Sequence, residues 1–138
     1  MVRWKTLPVL ALSMGLMAPF EVCAQSPAGM TRNIVGRVDL PAAQSPQEVV
    51  QGTAELDVGG QSGAHVHPGI EAGYILSGAL EMTIRGQPPR RLAAGETFII
   101  PRGVPHNVRN LGQVPAKVTS VWIVDKGVPL ATPSSLAP

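Results

Sequence analysis

Residues 59–78 of this 138-residue chain read GGQSGAHVHPGIEAGYILSG. Two of the three histidines in the chain, His65 and His67, stand one residue apart in this stretch. Side chains two residues apart on a β-strand point to the same face, so both imidazoles are expected on one side. Glu71 follows across the Pro68-Gly69 turn, where its carboxylate can return to the same pocket. This stretch therefore predicts a cluster of three metal-binding side chains.

The third histidine, His106, follows a Pro-Arg-Gly-Val-Pro turn at residues 101–105. Three imidazoles and one carboxylate suit a divalent transition metal and leave one or two coordination positions open. Taken singly, each of these side chains is more often a solvated or locally hydrogen-bonded residue than a ligand. The donor set itself does not choose among Fe, Mn, Ni, Cu, Co and Zn.

The composition predicts one compact β-rich domain. Hydrophobic residues make up 44% of the chain and charged residues only 14%, which indicates a packed core rather than a disordered chain. The 15 glycines and 14 prolines punctuate short β-prone segments, and no helical periodicity competes with them. The predicted strands are 34–38, 48–50, 53–58, 73–77, 80–85, 97–100, 106–109 and 116–124. Evenly spaced short strands are typical of a sandwich or barrel.

Two spaced motifs identify the family that the sequence resembles. They are Gly59-x5-His65-x-His67-x3-Glu71-x6-Gly78 and Gly95-x5-Pro101-x-Gly103-x2-His106-x3-Asn110. All ten specified positions match the two signature motifs of the cupin superfamily. The resemblance implies an all-β double-stranded β-helix, or jelly-roll barrel, with His65, His67, Glu71 and His106 binding one metal ion. It also implies a homodimer, and the segment 118–124, apolar on both faces, is expected to be a central or interface strand.

The two ends of the chain are interpreted separately from the domain. Residues 1–24 combine basic Arg3 and Lys5 with an apolar run that ends in Ala24, which predicts a cleaved secretory signal and a periplasmic location. A membrane anchor and a lipoprotein acylated at Cys23 are the alternatives, but prolines interrupt the apolar run. We expect a flexible leader over 25–33, the cupin domain over 34–126 and an unstructured or surface-docked tail over 127–138.

The charge distribution excludes one class of partner. Removal of residues 1–24 leaves nine basic and eight acidic residues, a net charge of +1, and no cysteine. The basic residues form no cluster larger than Arg90-Arg91, whereas nucleic-acid binding needs a basic face. We therefore expect a small-molecule ligand or substrate, no nucleic acid and no stable membrane insertion.

The resemblance leaves several activities open, because the fold does not determine the function. Cupins with these four ligands include quercetinase-like dioxygenases, oxalate-handling enzymes, lyases, isomerases and simple binding proteins. Small cupins similar to dimethylsulfoniopropionate lyases carry a tyrosine two residues after the ligand glutamate. Here Tyr74 comes three residues after Glu71, so it is expected to point outward, with Gly73 in the inward position.

The remaining candidate for acid–base chemistry is Glu71. The resemblance implies this role, because the equivalent glutamate acts as a general base in the quercetinase-like family. The pocket walls are expected to be apolar, with Ile75, Val108 and either Phe98 or Ile99 around the ligands. The leading hypothesis is an exported, metal-dependent, dioxygenase-like enzyme for a small organic molecule. The alternative is a non-catalytic periplasmic module that binds a metal or small ligand, because the sequence offers no second acid or base. Asn110 is expected to have a structural role through hydrogen bonds to nearby backbone groups.

Overall fold

The computed structural model describes residues 28–40 and 45–137. These residues form ten β-strands and no helix. The strands are β1 (Met30–Leu40), β2 (Gln47–Leu56), β3 (His65–Val66), β4 (Gly69–Ser77), β5 (Ala79–Ile84), β6 (Arg90–Ala93), β7 (Thr97–Ile100), β8 (His106–Arg109), β9 (Ala116–Asp125) and β10 (Thr132–Pro133). No helix in this part of the chain is long and apolar enough to cross a membrane.

The strands build two five-stranded antiparallel sheets that pack face to face. One sheet has the order β1-β2-β9-β4-β7 and the other has the order β10-β3-β8-β5-β6. The core between them joins Leu56 and Ile75 of the first sheet to Leu80, Met82 and Leu92 of the second. This arrangement confirms the predicted all-β jelly-roll fold, in which alternating inward side chains fill the space between two sheets.

Strand β9 lies in the middle of the first sheet, between β2 and β4. Its inward residues, Val118 and Trp122, are buried, while Val121 and Ile123 on the opposite face are more than one-third exposed. The prediction that this segment is a central strand is confirmed. Its outer face is apolar and, in this single chain, is open to solvent.

The strand boundaries differ from the predicted ones at several places, and one of them is β4, which begins at Gly69 and not at Gly73. Strand β1 begins at Met30 rather than near Ile34, because the Met30 side chain is buried in the core and its backbone pairs with Leu56. Residues 47–56 form one continuous strand where two were expected. Strand β6 was not predicted, because Leu92 is the only buried side chain in this short arginine-rich segment.

The segment after Gly127 lies along the second sheet. Its strand β10 pairs with β3, and Ser134 N donates a hydrogen bond of 2.9 Å to Ala64 O. Leu130 packs against the smaller core cluster that contains Trp122. Of the two expectations for this tail, surface docking is therefore the one observed over 127–137. The predicted signal at 1–24 lies outside the described residues.

Candidate metal centre

The four predicted ligands come from separate elements that meet inside the barrel. His65 belongs to β3, His67 lies in the turn before β4, Glu71 belongs to β4 and His106 belongs to β8. Strand β3 is only two residues long, so the turn rather than strand alternation brings His67 beside His65. All four residues are buried, and the candidate ligand atoms of the three histidines lie within 4.8 Å of one another.

Each imidazole is oriented by its Nδ1 atom, which faces a backbone carbonyl oxygen. The distances are 2.8 Å from His65 to Gly63 O, 2.6 Å from His67 to Leu130 O and 3.0 Å from His106 to Val104 O. A carbonyl oxygen can only accept, so each Nδ1 carries a proton and Nε2 is the ring nitrogen left to face the candidate site. This arrangement makes Nε2 the candidate ligand atom of each histidine, and at His67 a metal would replace the hydrogen bond that this atom accepts. Trp122 Nε1 also donates to Nε2 of His67 at 3.3 Å.

Glu71 adds a carboxylate to the three imidazoles. An ionised carboxylate accepts hydrogen bonds or binds a cation, but it has no proton to donate. Its Oε2 atom lies 3.0 Å from His67 Nε2 and 3.3 Å from His106 Nε2. With Nδ1 protonated in both rings, these contacts join acceptors to acceptors, which a buried site tolerates only when a cation or a proton lies between them. The imidazole and carboxylate donors therefore fit a divalent transition metal.

Burial and neighbouring groups put the ligands in the protonation states that a metal needs. Burial alone would raise the pKa of Glu71. In the metal-free site, a proton shared between its carboxylate and Nε2 of His106 or His67 outweighs burial and holds that pKa well below its usual range. Burial also lowers the pKa of His65 to about 4, partly opposed by the hydrogen bond to Gly63. Near neutral pH, Glu71 is therefore ionised and His65 is neutral, as ligands must be.

A cavity of about 30 Å³ adjoins the histidines and Glu71. Its wall is mostly apolar and consists of side chains from both sheets. Besides His65, Glu71 and His106, the lining residues are Met30, Arg32, Ala54, Ser62, Leu80, Met82, Phe98, Val108, Val118, Ser120 and Trp122. The expected apolar wall is present, and space for roughly two water molecules remains inside it.

The expected wall residues divide between the cavity, the core and the surface. Phe98 and Val108 line the cavity as predicted. Ile75 is fully buried in the core but does not line the cavity, whereas Ile99 is 69% exposed on the outer face of β7. Ile99 faces outward because strand alternation gives Phe98 and Ile100 the inward positions.

The cavity residues that could not be named from the sequence include Arg32, Ser120 and Trp122. Arg32 fell in the segment interpreted as a flexible leader. The alternation from Met30 to Arg32 was the available signal, because it places both side chains on one face of a strand. Ser120 and Trp122 lie on one face of β9, but a segment that is apolar on both faces does not indicate which face borders the ligands.

The outward orientation predicted for Tyr74 is confirmed, since its side chain is 43% exposed. Gly73 faces inward, and a Cβ atom at this position would overlap the ring of Phe98. Phe98 thus fills the space beside Glu71 that a larger inward residue on β4 would need.

Asn110 has the structural role expected from the sequence. Its side chain is completely buried, and Nδ2 donates to Leu56 O at 3.0 Å and to Val114 O at 2.8 Å. Its Oδ1 accepts from Gly112 N at 2.8 Å. These three bonds tie the end of β8 to β2 and to the turn that precedes β9.

A family model described as "Cupin domain" matches residues 51–124, which is more than half of the chain and includes all four candidate ligands. The chain belongs to the cupin superfamily. The two sequence motifs predicted this membership, and the two-sheet jelly-roll fold agrees with it. A conserved protein from Klebsiella pneumoniae, described as having a double-stranded β-helix domain, superposes with a TM-score of 0.62. It covers 78% of this chain and 89% of that one at 23% identity, and supports the fold alone.

Three named relatives of this cupin match it over only part of their longer chains. Dimethylsulfoniopropionate lyase DddQ of Ruegeria pomeroyi is 44% identical over 45 residues, which are 33% of this chain and 22% of the lyase. Nectarin-1 of Nicotiana langsdorffii x Nicotiana sanderae is 33% identical over 116 residues, 76% of this chain and 51% of nectarin-1. A structure of oxalate oxidase in complex with the substrate analogue glycolate has a TM-score of 0.57 and 26% identity. That match covers 70% of this chain and 52% of the oxidase, so the cupin spans about half or less of each of these three proteins.

Proposed function

We propose that this metal-binding cupin is an exported, dioxygenase-like enzyme that acts on a small organic molecule. The observation that carries the proposal is the cavity, which reaches three of the four candidate ligands and leaves room beside them for a reacting group. A purely structural metal site is usually closed by its protein ligands, whereas a catalytic site keeps a position open. The similarity to oxalate oxidase supports the choice of a redox reaction.

His65, His67, His106 and Glu71 would hold one divalent transition metal, which would supply Lewis-acid and redox chemistry when bound. The chain's own part begins with orientation, because the three Nδ1 hydrogen bonds fix the imidazole rings. Apolar side chains such as Phe98, Met82 and Val118 exclude bulk water from the cavity. Glu71 is the group placed to hold a substrate proton at Oε2, next to the imidazoles of His67 and His106.

The proposal includes a location and an oligomeric state. Residues 1–24 support export to the periplasm through their secretory signal pattern. A homodimer is supported by the outer face of the first sheet, where Ile70, Tyr74, Leu76, Ile99 and Ile123 each expose at least two-fifths of their surface. Contiguous apolar surface of this kind marks an interaction site. Light scattering would show a dimer for the wild type and a monomer for Ile123→Glu.

A non-catalytic binding module is the second candidate, and one observation favours it. Glu71 is the only carboxyl group among the residues that line the cavity, and no lysine or tyrosine is among them. An enzyme that needs a separate acid and base would have to recruit one from substrate or solvent. A binding module has no such need.

Oxygen uptake by metal-loaded protein distinguishes the two candidates. The protein would be loaded with each of Fe, Mn, Ni, Cu, Co and Zn in turn and tested with small organic acids, dicarbonyl compounds and phenols. The enzyme proposal predicts substrate-dependent oxygen consumption that Glu71→Gln lowers by at least about 100-fold, in line with general-base contributions. The control Glu55→Gln, at a half-exposed carboxylate on the surface, leaves turnover unchanged. Ligand binding without turnover under every loading would establish the binding module instead.

A further inference from the structure

Arg32 is a charged residue inside the candidate site and lies outside the residues that match the family model. It stands on β1 opposite Ala54 of β2 and lines the same cavity as His65, Glu71 and His106. Its guanidinium carbon lies 5.8 Å from the centroid of the Trp122 ring, within the range of a cation–π contact. The fold therefore holds a permanent positive charge beside the metal ligands.

Arg32 is partly buried, and one atom of its guanidinium group lacks the partner that a buried polar atom needs. Its Nε atom is buried with no hydrogen-bond acceptor among residues 28–40 and 45–137, and no salt bridge to Arg32 is formed within these ranges. Arg37 on the same strand shows the contrast, because it contacts Glu48 at 2.6 Å. Burial lowers the pKa of Arg32, although the negative charge of Glu71 partly opposes this change. A guanidinium stays charged at any physiological pH, so its burial is costly unless an anion completes the site.

The shape of the cavity limits what that anion can be. Its volume of about 30 Å³ admits a group of a few atoms, and the surrounding wall is mostly apolar. A carboxylate is small and planar, and it accepts paired hydrogen bonds from a guanidinium.

We propose that Arg32 binds the carboxylate of a small organic acid and thereby holds the rest of that molecule against the metal ligands. This inference deepens the proposed function and rests on it, since it assigns the substrate class of the same site. Arg32 becomes a specificity residue that selects a monoanionic or dianionic acid over a neutral molecule of equal size. Trp122 supports the guanidinium from one side through the cation–π contact.

Calorimetric titration of the full chain tests the assignment with glycolate and glycolamide, which match in size and differ in charge. The protein would be loaded with Mn²⁺, and its metal content would be measured for every variant before titration. Arg32→Gln is the main variant and Arg32→Lys keeps the charge without the paired geometry. The matched control is Arg91→Gln, which removes an exposed arginine on β6.

The inference predicts that the wild type and Arg91→Gln bind glycolate at least about tenfold more tightly than glycolamide, a difference expected of a charge-assisted hydrogen bond. Arg32→Gln keeps its metal and loses this preference, and Arg32→Lys retains part of it. Unchanged glycolate affinity in Arg32→Gln would overturn the inference while leaving metal-dependent chemistry intact. Loss of metal from Arg32→Gln would also overturn it, since Arg32 would then act on Glu71 instead of substrate. If Arg32→Gln does not fold, Arg32→Lys decides the question. A preference of Arg32→Lys for glycolate as large as that of the wild type would contradict a paired contact, because lysine cannot form one. A wild type that takes up no metal would refute the proposed function itself.

Discussion

Replacement of Asn110 by alanine tests how the barrel secures the strand that carries His106. The substitution removes three hydrogen bonds, to Leu56 O, Val114 O and Gly112 N. Each such bond contributes about 1 kcal/mol to stability, and a buried group left without a partner costs about 1–3 kcal/mol. Leu56 is completely buried, so its carbonyl has no ready access to water. We expect Asn110→Ala to lower the free energy of unfolding by about 3 kcal/mol.

Thermal and urea unfolding followed by circular dichroism measure this loss. For a domain of this size, 3 kcal/mol corresponds to a Tm lower by about 10–20 °C. Asn110→Asp sharpens the test, because aspartate has nearly the same shape but presents oxygen to the two carbonyl groups in place of the amide nitrogen. We expect it to be at least as destabilising as Asn110→Ala. Asn33→Ala, at an exposed side chain on β1, is the control and keeps the wild-type Tm.

The outcome that refutes this reasoning is a normal Tm for Asn110→Asp. That result would mean that Asn110 stabilises the barrel by its volume and not by its amide. A variant with a normal Tm but greatly reduced turnover would point instead to a direct part in the chemistry.

Three further predictions follow from contacts in and around the site. Gly73→Ala overlaps the ring of Phe98, so it is expected to cost about 1–3 kcal/mol in urea unfolding; most of this loss is recovered in Gly73→Ala/Phe98→Leu, and additive losses would disprove the contact. In metal-free protein, the pKa of His65 is lowered to about 4, so as the pH falls the unfolded chain protonates His65 before the folded chain does. The free energy of unfolding should therefore fall as the pH is lowered from about 6.5 to about 4. A His65→Gln variant with the same pH dependence would count against this assignment. Removal of residues 128–138 deletes the Leu130 carbonyl that orients His67, and Mn²⁺ affinity measured by calorimetry should fall about 10–100-fold; unchanged affinity would show that the tail does not support the site.

The family motifs made most of the fold predictable, together with the meeting of the four candidate ligands inside the barrel. Alternation of apolar and polar residues is visible in β5, because one face of that strand is covered by the opposite sheet, whereas β9 is apolar on both faces. The spacing of His65, His67, Glu71 and His106 allowed the site to be anticipated before any contact was known. Glycine turns were also recognisable, and Gly78, Gly95 and Gly103 all have positive φ.

The rest depended on which elements become neighbours, and local patterns do not carry that information. Met30 and Arg32 follow a stretch rich in glycine, proline and small residues, which masks the start of β1. Pairing with β2 shows that both residues belong to a strand. Leu130 reaches His67 through its backbone oxygen, an interaction with no side-chain signature. The cavity's polar residues were likewise hidden, because Arg32 and Ser120 come together across β2 in the folded sheet.

Elemental analysis of protein purified without chelator is the most direct test of the metal centre. It should be run on the wild type, on His65→Ala/His67→Ala and on the folded control Asn33→Ala. The metal-centre assignment predicts close to one transition-metal ion per chain in the wild type and the control, and almost none in the double variant. A wild type that stays metal-free after exposure to excess Mn, Fe, Co, Ni, Cu and Zn would contradict it, as would full metal retention by the double variant.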